Sequence, residues 1–460
     1  MKKNLWIWAL AALSMTACTS EDAPSQDQVV TENDFESPDG QVVVQLSADA
    51  LPVPTASVGG RAIGPVEGTD IVTLDSLGIF ALARGGDYTA NTTTNTTILL
   101  DNVLAAGKET ATLDPNLHKG SDGEALKRIS LYSSQVNKNS GLAAVYYYPI
   151  TATYNYDFYG YHPYQNTSIE KEENEIIVHF DMSKGNIDLI TGKAEPADPI
   201  ANTALYVEEK NEAAVKGTGE TVWQGYNARY IRKIKYSNEL VEKNADQAEI
   251  DGIFPITYVP NIHFKHRTTQ LRFFVVANDK QATVDKEATQ KLKVGKIHLQ
   301  EIPINASWRV TETADNSTDD IEWGVANGTL NMQEMKNSGA WINEDDPATE
   351  DLNETECIEP AVDVNSAKQA GYLMVAPRTT YKLGLTVYAP VAAGSAVPPK
   401  QETTITIQML DEDKNQVSFE EGKFYNIYIQ LNALQEVNIS AELVNWEKGD
   451  DVFIPVGEDE

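Results

Sequence analysis

Two tandem antiparallel β-sandwiches with few, short helices are what this sequence predicts, and three observations carry the prediction. Period-2 alternation of apolar and polar residues recurs along the chain, as in Thr403 to Met409 and Phe424 to Leu431. Sustained 3.6-residue periodicity is scarce. Clusters of Gly, Asn, Asp and Pro separate the alternating runs at sandwich-like spacing, with no βαβ alternation and no repeat of 20 to 50 residues.

The elements follow in chain order. Lys2 and Lys3, the apolar run Leu5 to Leu13 and the small residues before Cys18 form a secretory signal over 1–17. That run is too short to span a bilayer, which takes roughly 20 residues. From Cys18 to Gly40 there are seven acids and no base, a composition that predicts a disordered tether over 18–40. Gln41 to Leu46 then reads as a first strand, with Val42, Val44 and Leu46 on one face, inside a segment 41–61 that ends at Arg61. Further strands are expected at Ile176 to Phe180, Leu271 to Val275, Lys296 to Leu299 and Val437 to Leu443. Short helices are expected around Gly123 to Ser134 and Asn238 to Gln247. A break near Glu301 to Arg309 divides the body into an N-terminal sandwich, 62–303, and a C-terminal sandwich, 304–460.

Composition narrows the function. With 36 basic and 68 acidic residues among 460, the net charge of −32 excludes non-specific nucleic-acid binding and opposes adsorption to anionic lipid. Only Cys18 and Cys357 are present, so neither a disulfide framework nor a cysteine zinc site is expected. The sequence contains no His-Glu-x-x-His run, no Gly-x-Ser-x-Gly elbow and no phosphate loop, so no catalytic residue, metal site or cofactor is assigned and the chain reads as a non-enzyme. Asp411 to Asn415 opens like a calcium loop, but Gln416 and Gly422 stand where Gly and Glu are required, so it reads as a hairpin turn. His263 and His266 sit at odd spacing in an extended segment and therefore on opposite faces, which disfavours joint chelation. Tyr146 to Tyr164 holds nine aromatics in nineteen residues. These suit either core strands or a stacking platform for sugars, and the alternation in Tyr154 to Phe158 favours core.

The start of the chain resembles a bacterial lipoprotein signal, in which Cys18 would become the lipidated first residue. Ser20-Glu21-Asp22 resembles the export signal of surface lipoproteins in Bacteroidota. Several segments then resemble, in order, the fimbrillins or type V pilins of Bacteroidales. They are Tyr156 to Tyr164, Asn186 to Ile190, Phe264-Lys265-His266 with Leu271-Arg272-Phe273, Leu373 to Arg378, and Phe424 to Ile427 leading to Val444 to Glu447. The pattern departs from the family's at Arg378 and after His266.

That resemblance implies transthyretin-like sandwiches and a structural fimbrial subunit, anchored at the outer membrane only through its lipid and exposed on the cell surface. It implies maturation between Arg61 and Ala62 by an Arg-specific protease, loss of the first strand (Val42, Val44, Leu46) and polymerisation by strand exchange in support of adhesion or biofilm formation. Arg61 is the only basic residue between Cys18 and Ala62. The donor would come from the C-terminal tract, with Val437, Ile439, Ala441 and Leu443 or Val452 and Ile454 as candidates. The partners implied are other fimbrial subunits and host or bacterial surface ligands. A surface glycan-binding lipoprotein, or a tip or anchor subunit in place of a stalk subunit, are the alternatives.

Overall fold

The computed structural model describes residues 30–48, 76–83, 86–89, 97–108, 127–150, 154–166, 168–173, 175–185, 187–194, 226–243, 259–277, 292–311, 321–334, 358–367, 369–389, 400–410, 416–433, 436–444 and 452–454. The molecule is almost entirely β. In the first half the strands are β1 (Leu46–Ala48), β2 (Leu77–Ala83), β3 (Ile98–Lys108), β4 (Lys127–Tyr132), β5 (Tyr156–His162), β6 (Ile169–Lys171), β7 (Ile176–Asp181), β8 (Ile190–Ala194) and β9 (Asn261–His266). Among the described residues two α-helices accompany them, α1 (Gln135–Ser140) and α2 (Ala228–Lys243). The second half contains β10 (Thr269–Ala277), β11 (Lys293–Pro303), β12 (Asn305–Arg309), β13 (Ile321–Trp323), β14 (Ala326–Asn331), β15 (Gln333–Glu334), β16 (Gln369–Val375) and β17 (Thr380–Tyr388). It ends with β18 (Lys400–Leu410), β19 (Gln416–Val417), β20 (Phe424–Ala433), β21 (Glu436–Val444) and β22 (Val452–Ile454).

Seven strands close into a barrel in the order β1-β4-β3-β2-β5-β8-β9. Ile79, Ala81 and Ala83 of β2 point into the barrel core, while Phe80 and Leu82 point outward and are covered as well. That two-sided burial explains why Leu77 to Ala83 is an unbroken apolar run and not an alternating one. The cover is a four-stranded sheet, β13-β12-β7-β6, whose Trp308, Phe180 and Val178 pack on Phe80, Tyr159 and Tyr161. Tyr161 meets Phe180 edge-on at 5.7 Å and Trp308 at 5.8 Å. Gly78 makes room for the Tyr161 ring, since a Cβ there would lie 2.2 Å from it. Helix α2 adds Tyr230, Ile231 and Ile234 to the barrel core at helical spacing. Asn227 caps it, its Oδ1 accepting from the Tyr230 amide at 2.9 Å.

The remaining strands form a sandwich of a six-stranded sheet, β15-β16-β10-β20-β21-β22, on a five-stranded sheet, β14-β11-β17-β18-β19. Its core lies between them and includes Phe273, Leu299, Leu385, Ile407, Phe419 and Ile427. Two strand pairs are parallel, β1 with β9 and β10 with β20. Both join segments far apart in sequence, which local alternation does not reveal.

Three expectations are corrected. The chain does not divide at 303/304: β10 and β11, upstream of that point, belong to the C-terminal sandwich, whereas β12 and β13, downstream of it, pair with β7 and cover the barrel. The two units are therefore interleaved, and a cut after Pro303 would strip the barrel of Trp308. Residues 30–40, expected within the tether, are part of the fold. Phe35 packs on the barrel core, and Arg128 and Arg232, remote in sequence, pair with Glu32 and Glu36. Finally, Lys127–Tyr132 is strand β4 with helix α1 following it, and α2 begins ten residues before the expected Asn238. Arg and Lys interleaved with Tyr230, Ile231 and Ile234 obscure its apolar stripe.

Candidate functional site

The seat of the first strand is the site that the sequence reading singles out, and the structure builds it from three sides. β1 inserts between β4 and β9, antiparallel to the first (Leu46 opposite Ile129, Ala48 opposite Lys127) and parallel to the second (Ser47 opposite Asn261). Val42, Val44, Leu46 and Ala48 alternate inward and are 0–4% exposed in the barrel core. The sequence-predicted trio is thus brought together on one face, with Ala48 as a fourth member. Before β1 the chain is held by backbone bonds: the Val44 amide donates to the Tyr146 carbonyl at 2.8 Å, and the Tyr148 amide to the Val42 carbonyl at 2.9 Å. Ser47 is buried on the opposite face, its hydroxyl donating to the Pro260 carbonyl at 3.3 Å.

Three cations strap the segment that precedes β1. Arg128 of β4 donates to Asn33 and to the Glu32 carbonyl, and burial lowers its pKa against the opposing pull of the Glu32 carboxylate. Arg232 of α2 pairs with Glu36 at 2.6 Å and also reaches the Gly40 carbonyl. Lys235 lies over the Phe35 ring at 4.1 Å. No local pattern announces these straps, because each partner lies at least 95 positions from the residue it holds. The Tyr148 hydroxyl, at the floor of the seat, is buried without a partner among the described residues, and burial raises its pKa well above the usual phenol value. Such a group is kept neutral and contributes strain in place of stability.

Seating β1 and the segment before it buries three large apolar side chains, Val42, Val44 and Leu46, each worth roughly 1.5 to 3 kcal/mol. The seat therefore holds on the order of 5 to 9 kcal/mol of apolar stabilisation, an upper bound set against an extended unfolded chain. Removing β1 would also expose the ladder edges of β4 and β9.

The remaining candidate residues are distributed as follows. Cys18, Arg61 and Ala62 lie outside the described residues, as does the Asp411 to Asn415 turn. Val437, Ile439, Ala441 and Leu443 lie on β21, which pairs with β20 along its length (Ile429 opposite Ile439, Tyr425 opposite Leu443), with one register shift between Leu431 and Ala433. Val452 and Ile454 lie on β22, which among the described residues pairs only with β21, at the sheet edge.

The seat does not involve His263 or His266, which lie on opposite faces of β9. His266 is buried and sits 2.9 Å from Asp188 Oδ2, and the Thr268 hydroxyl donates to Asp188 Oδ1 at 3.0 Å. Arg267 extends this cluster, bonding Thr191 at 2.7 Å and Glu421 at 3.2 Å. The Gly422 amide donates to the Thr268 carbonyl, and the Gln270 amide to the Lys423 carbonyl. Asp188 and His266 belong to two of the segments that carried the family resemblance, and what they do is tie the barrel to the sandwich where β9 runs into β10. Among the described residues no group of three or more His, Cys, Asp or Glu is placed to hold a metal ion. Likewise no described helix is long and apolar enough to cross a membrane.

No protein-family model matches the chain, and no curated protein matches it. Solved structures do align with it over most of its length. A protein from Bacteroides uniformis, provisionally named a cell adhesion protein, is 12% identical over 89% of this chain and 100% of its own, with a TM-score of 0.41. A provisionally named cell adhesion protein from Bacteroides ovatus gives 12%, 89%, 100% and 0.39. The tip fimbrial protein Mfa3 from Porphyromonas gingivalis, truncated at its C-terminus, gives 9%, 88%, 100% and 0.30. Likeness at this level assigns no function.

Proposed function

We propose that this chain is a structural subunit of a surface fimbria, exported as a lipoprotein on Cys18, cut after Arg61, and polymerised when a neighbour's strand replaces β1. The observation that carries the reading is the construction of β1. It is short and has a neighbour on both sides, and together with the segment leading into it places Val42, Val44, Leu46 and Ala48 in the barrel core. A strand so placed fills a groove that any extended segment of alternating apolar residues could fill. The next described strand begins at Leu77, so Arg61 falls in the connection between β1 and β2. A cut there separates β1 from the body while leaving the rest of the barrel continuous.

Of the two donor candidates, β21 is committed to the C-terminal sandwich by its full pairing with β20. β22 is the shorter and sits at an edge, so the segment carrying Val452 and Ile454 is the proposed donor. Adhesion or biofilm formation, and contacts with other fimbrial subunits, follow from the same reading. The test is unboiled SDS-PAGE with N-terminal sequencing on protein sheared from the native cell surface. A heat-labile ladder whose subunits begin at Ala62 is expected. A monomer beginning at Cys18 would refute cleavage and exchange.

A further inference from the structure

We propose that the cleft between β3, the start of α1 and the Tyr146 and Tyr164 segments is a binding site for a neutral pyranoside unit of a surface glycan. The cleft borders the seat of the first strand, since Tyr146, whose carbonyl accepts from the Val44 amide, also lines it, but the inference does not rest on strand exchange, because every lining residue lies outside the segment that precedes Arg61.

The cleft measures about 360 Å³ and opens to solvent. That size lies at the lower end of small-ligand sites, roughly 300 to 1,000 Å³, and suits one or two sugar rings. Three tyrosines line it, Tyr132, Tyr146 and Tyr164. Tyr132 and Tyr164 pack with Leu104, so their rings are seated and not free to rotate into solvent. Burial raises the pKa of Tyr146 and of Tyr164, and the Asp101 charge adds to the effect on Tyr164. Both hydroxyls are therefore neutral at physiological pH and able to donate and accept.

The polar side of the cleft is amide-rich. Gln135 and Asn166 are exposed at its rim, where an amide can donate to one sugar hydroxyl and accept from another. Asn102 stabilises the wall: at φ +47° it takes the left-handed conformation, its Oδ1 accepts from the Tyr161 hydroxyl at 2.7 Å, and its Nδ2 donates to the Gln165 carbonyl at 2.7 Å. Those bonds fix the turn that carries Tyr164 against β3.

Charge sets the ligand class. Asp101 is the only ionised group in the lining, and Lys171 neutralises it with contacts of 2.6 Å to both carboxylate oxygens. Among the described lining residues there is no cation to attract a phosphate, sulfate or uronate, and the net charge of −32 repels polyanions. Apolar ring faces beside paired donors and acceptors, with no net charge, match the C–H face and hydroxyl edge of a neutral pyranose.

The test is saturation-transfer NMR on the full chain with the methyl glycosides of α-mannose, β-glucose, β-galactose and N-acetyl-β-glucosamine at about 10 mM, a range suited to weak single-site binding. Methyl glucuronide and N-acetylneuraminate serve as anionic comparators. Transfer to the ring C–H protons of at least one neutral glycoside is expected, weakened about tenfold by Tyr164→Ala. Gln135→Ala and Asn166→Ala, both at exposed positions that leave the fold intact, should weaken it too. Tyr236→Ala, an equally aromatic change at a residue 61% exposed on α2, should leave it unchanged. No transfer to any neutral glycoside, transfer insensitive to all three cleft substitutions, or preference for the anionic sugars would each overturn the proposal.

Discussion

If the inward face of β1 is what retains it, then truncating Leu46 should loosen the strand once the chain is cut. Leu46 is fully buried opposite Ile129 in the barrel core. Leu→Ala at such a site costs about 2 to 5 kcal/mol, the transfer term plus the cavity left behind. At about 3 kcal/mol, with each 1.4 kcal/mol a factor of ten, Leu46→Ala should raise the released fraction of β1 roughly a hundredfold. The assay is brief digestion with an Arg-specific protease, then native gel filtration with mass spectrometry to follow the fragment ending at Arg61. Wild-type chain should retain the fragment, because the cut spares every contact of β1. Leu46→Ala should lose it at the same protein concentration. Gln41→Ala, a partly exposed change upstream of the buried face, should shift retention by no more than about 0.5 kcal/mol. Equal release from wild type and Leu46→Ala would refute the reasoning, since apolar burial would then not be what holds β1. Release from Gln41→Ala as fast as from Leu46→Ala would equally refute it, because a change off the buried face would then loosen the strand as much as one on it.

Three further outcomes are expected. Gly384→Ala would bring a Cβ to 2.3 Å from the His298 ring and should lower stability by about 1 to 3 kcal/mol in a denaturant melt. His298 itself has a pKa lowered mainly by burial and further by Lys296, with Glu402 opposing. The unfolded chain therefore binds the proton first, so stability falls as pH drops below the ordinary histidine value of about 6.5 and is regained above it. His298→Gln should flatten that part of the pH–stability profile, as thermal melts between pH 5 and 8 would report. Asp188→Ala would leave His266 and Thr268 without their buried acceptor at the junction of barrel and sandwich. A loss of about 1 to 3 kcal/mol in a denaturant melt is expected, and a melt unchanged from wild type would show that the cluster does not hold the units together.

Strand identity was legible from sequence wherever one face is buried. Ile176–Asp181 and Lys400–Leu410 alternate in the chain as they do in the sheets, because a half-buried strand must place every second side chain on the core. β2 and β5 lack that alternation because both of their faces are covered, and the aromatic tract around Tyr156 to Tyr161 is core for the same reason. The inward face of β1 was equally readable, since Val42, Val44 and Leu46 follow the period-2 rule without reference to any partner. The neighbours were not. That β1 lies parallel to a strand more than 200 positions away, and that Arg128, Arg232 and Lys235 secure the residues before it, depends on contacts with no local trace.

The interleaving of the two units has the same origin. Period and composition mark Lys293–Pro303 and Asn305–Arg309 as adjacent strands, but not that the first joins the sandwich and the second crosses to cover the barrel. The cleft at Tyr146 and Tyr164 lies at the same boundary between the two kinds of information. The sequence supplied the aromatics, whereas only the fold turned Tyr156 and Phe158 fully inward and left Tyr146 and Tyr164 half-buried along a cleft beside Asp101 and Gln135. The sequence by itself determined that this protein is a β protein with an extended, apolar-faced first strand ahead of a lone arginine, because alternation and charge are local properties of a chain. Tertiary structure decided where that strand docks, what straps it down and which tyrosines stay open, because those depend on free energies of contact between residues that the chain keeps far apart.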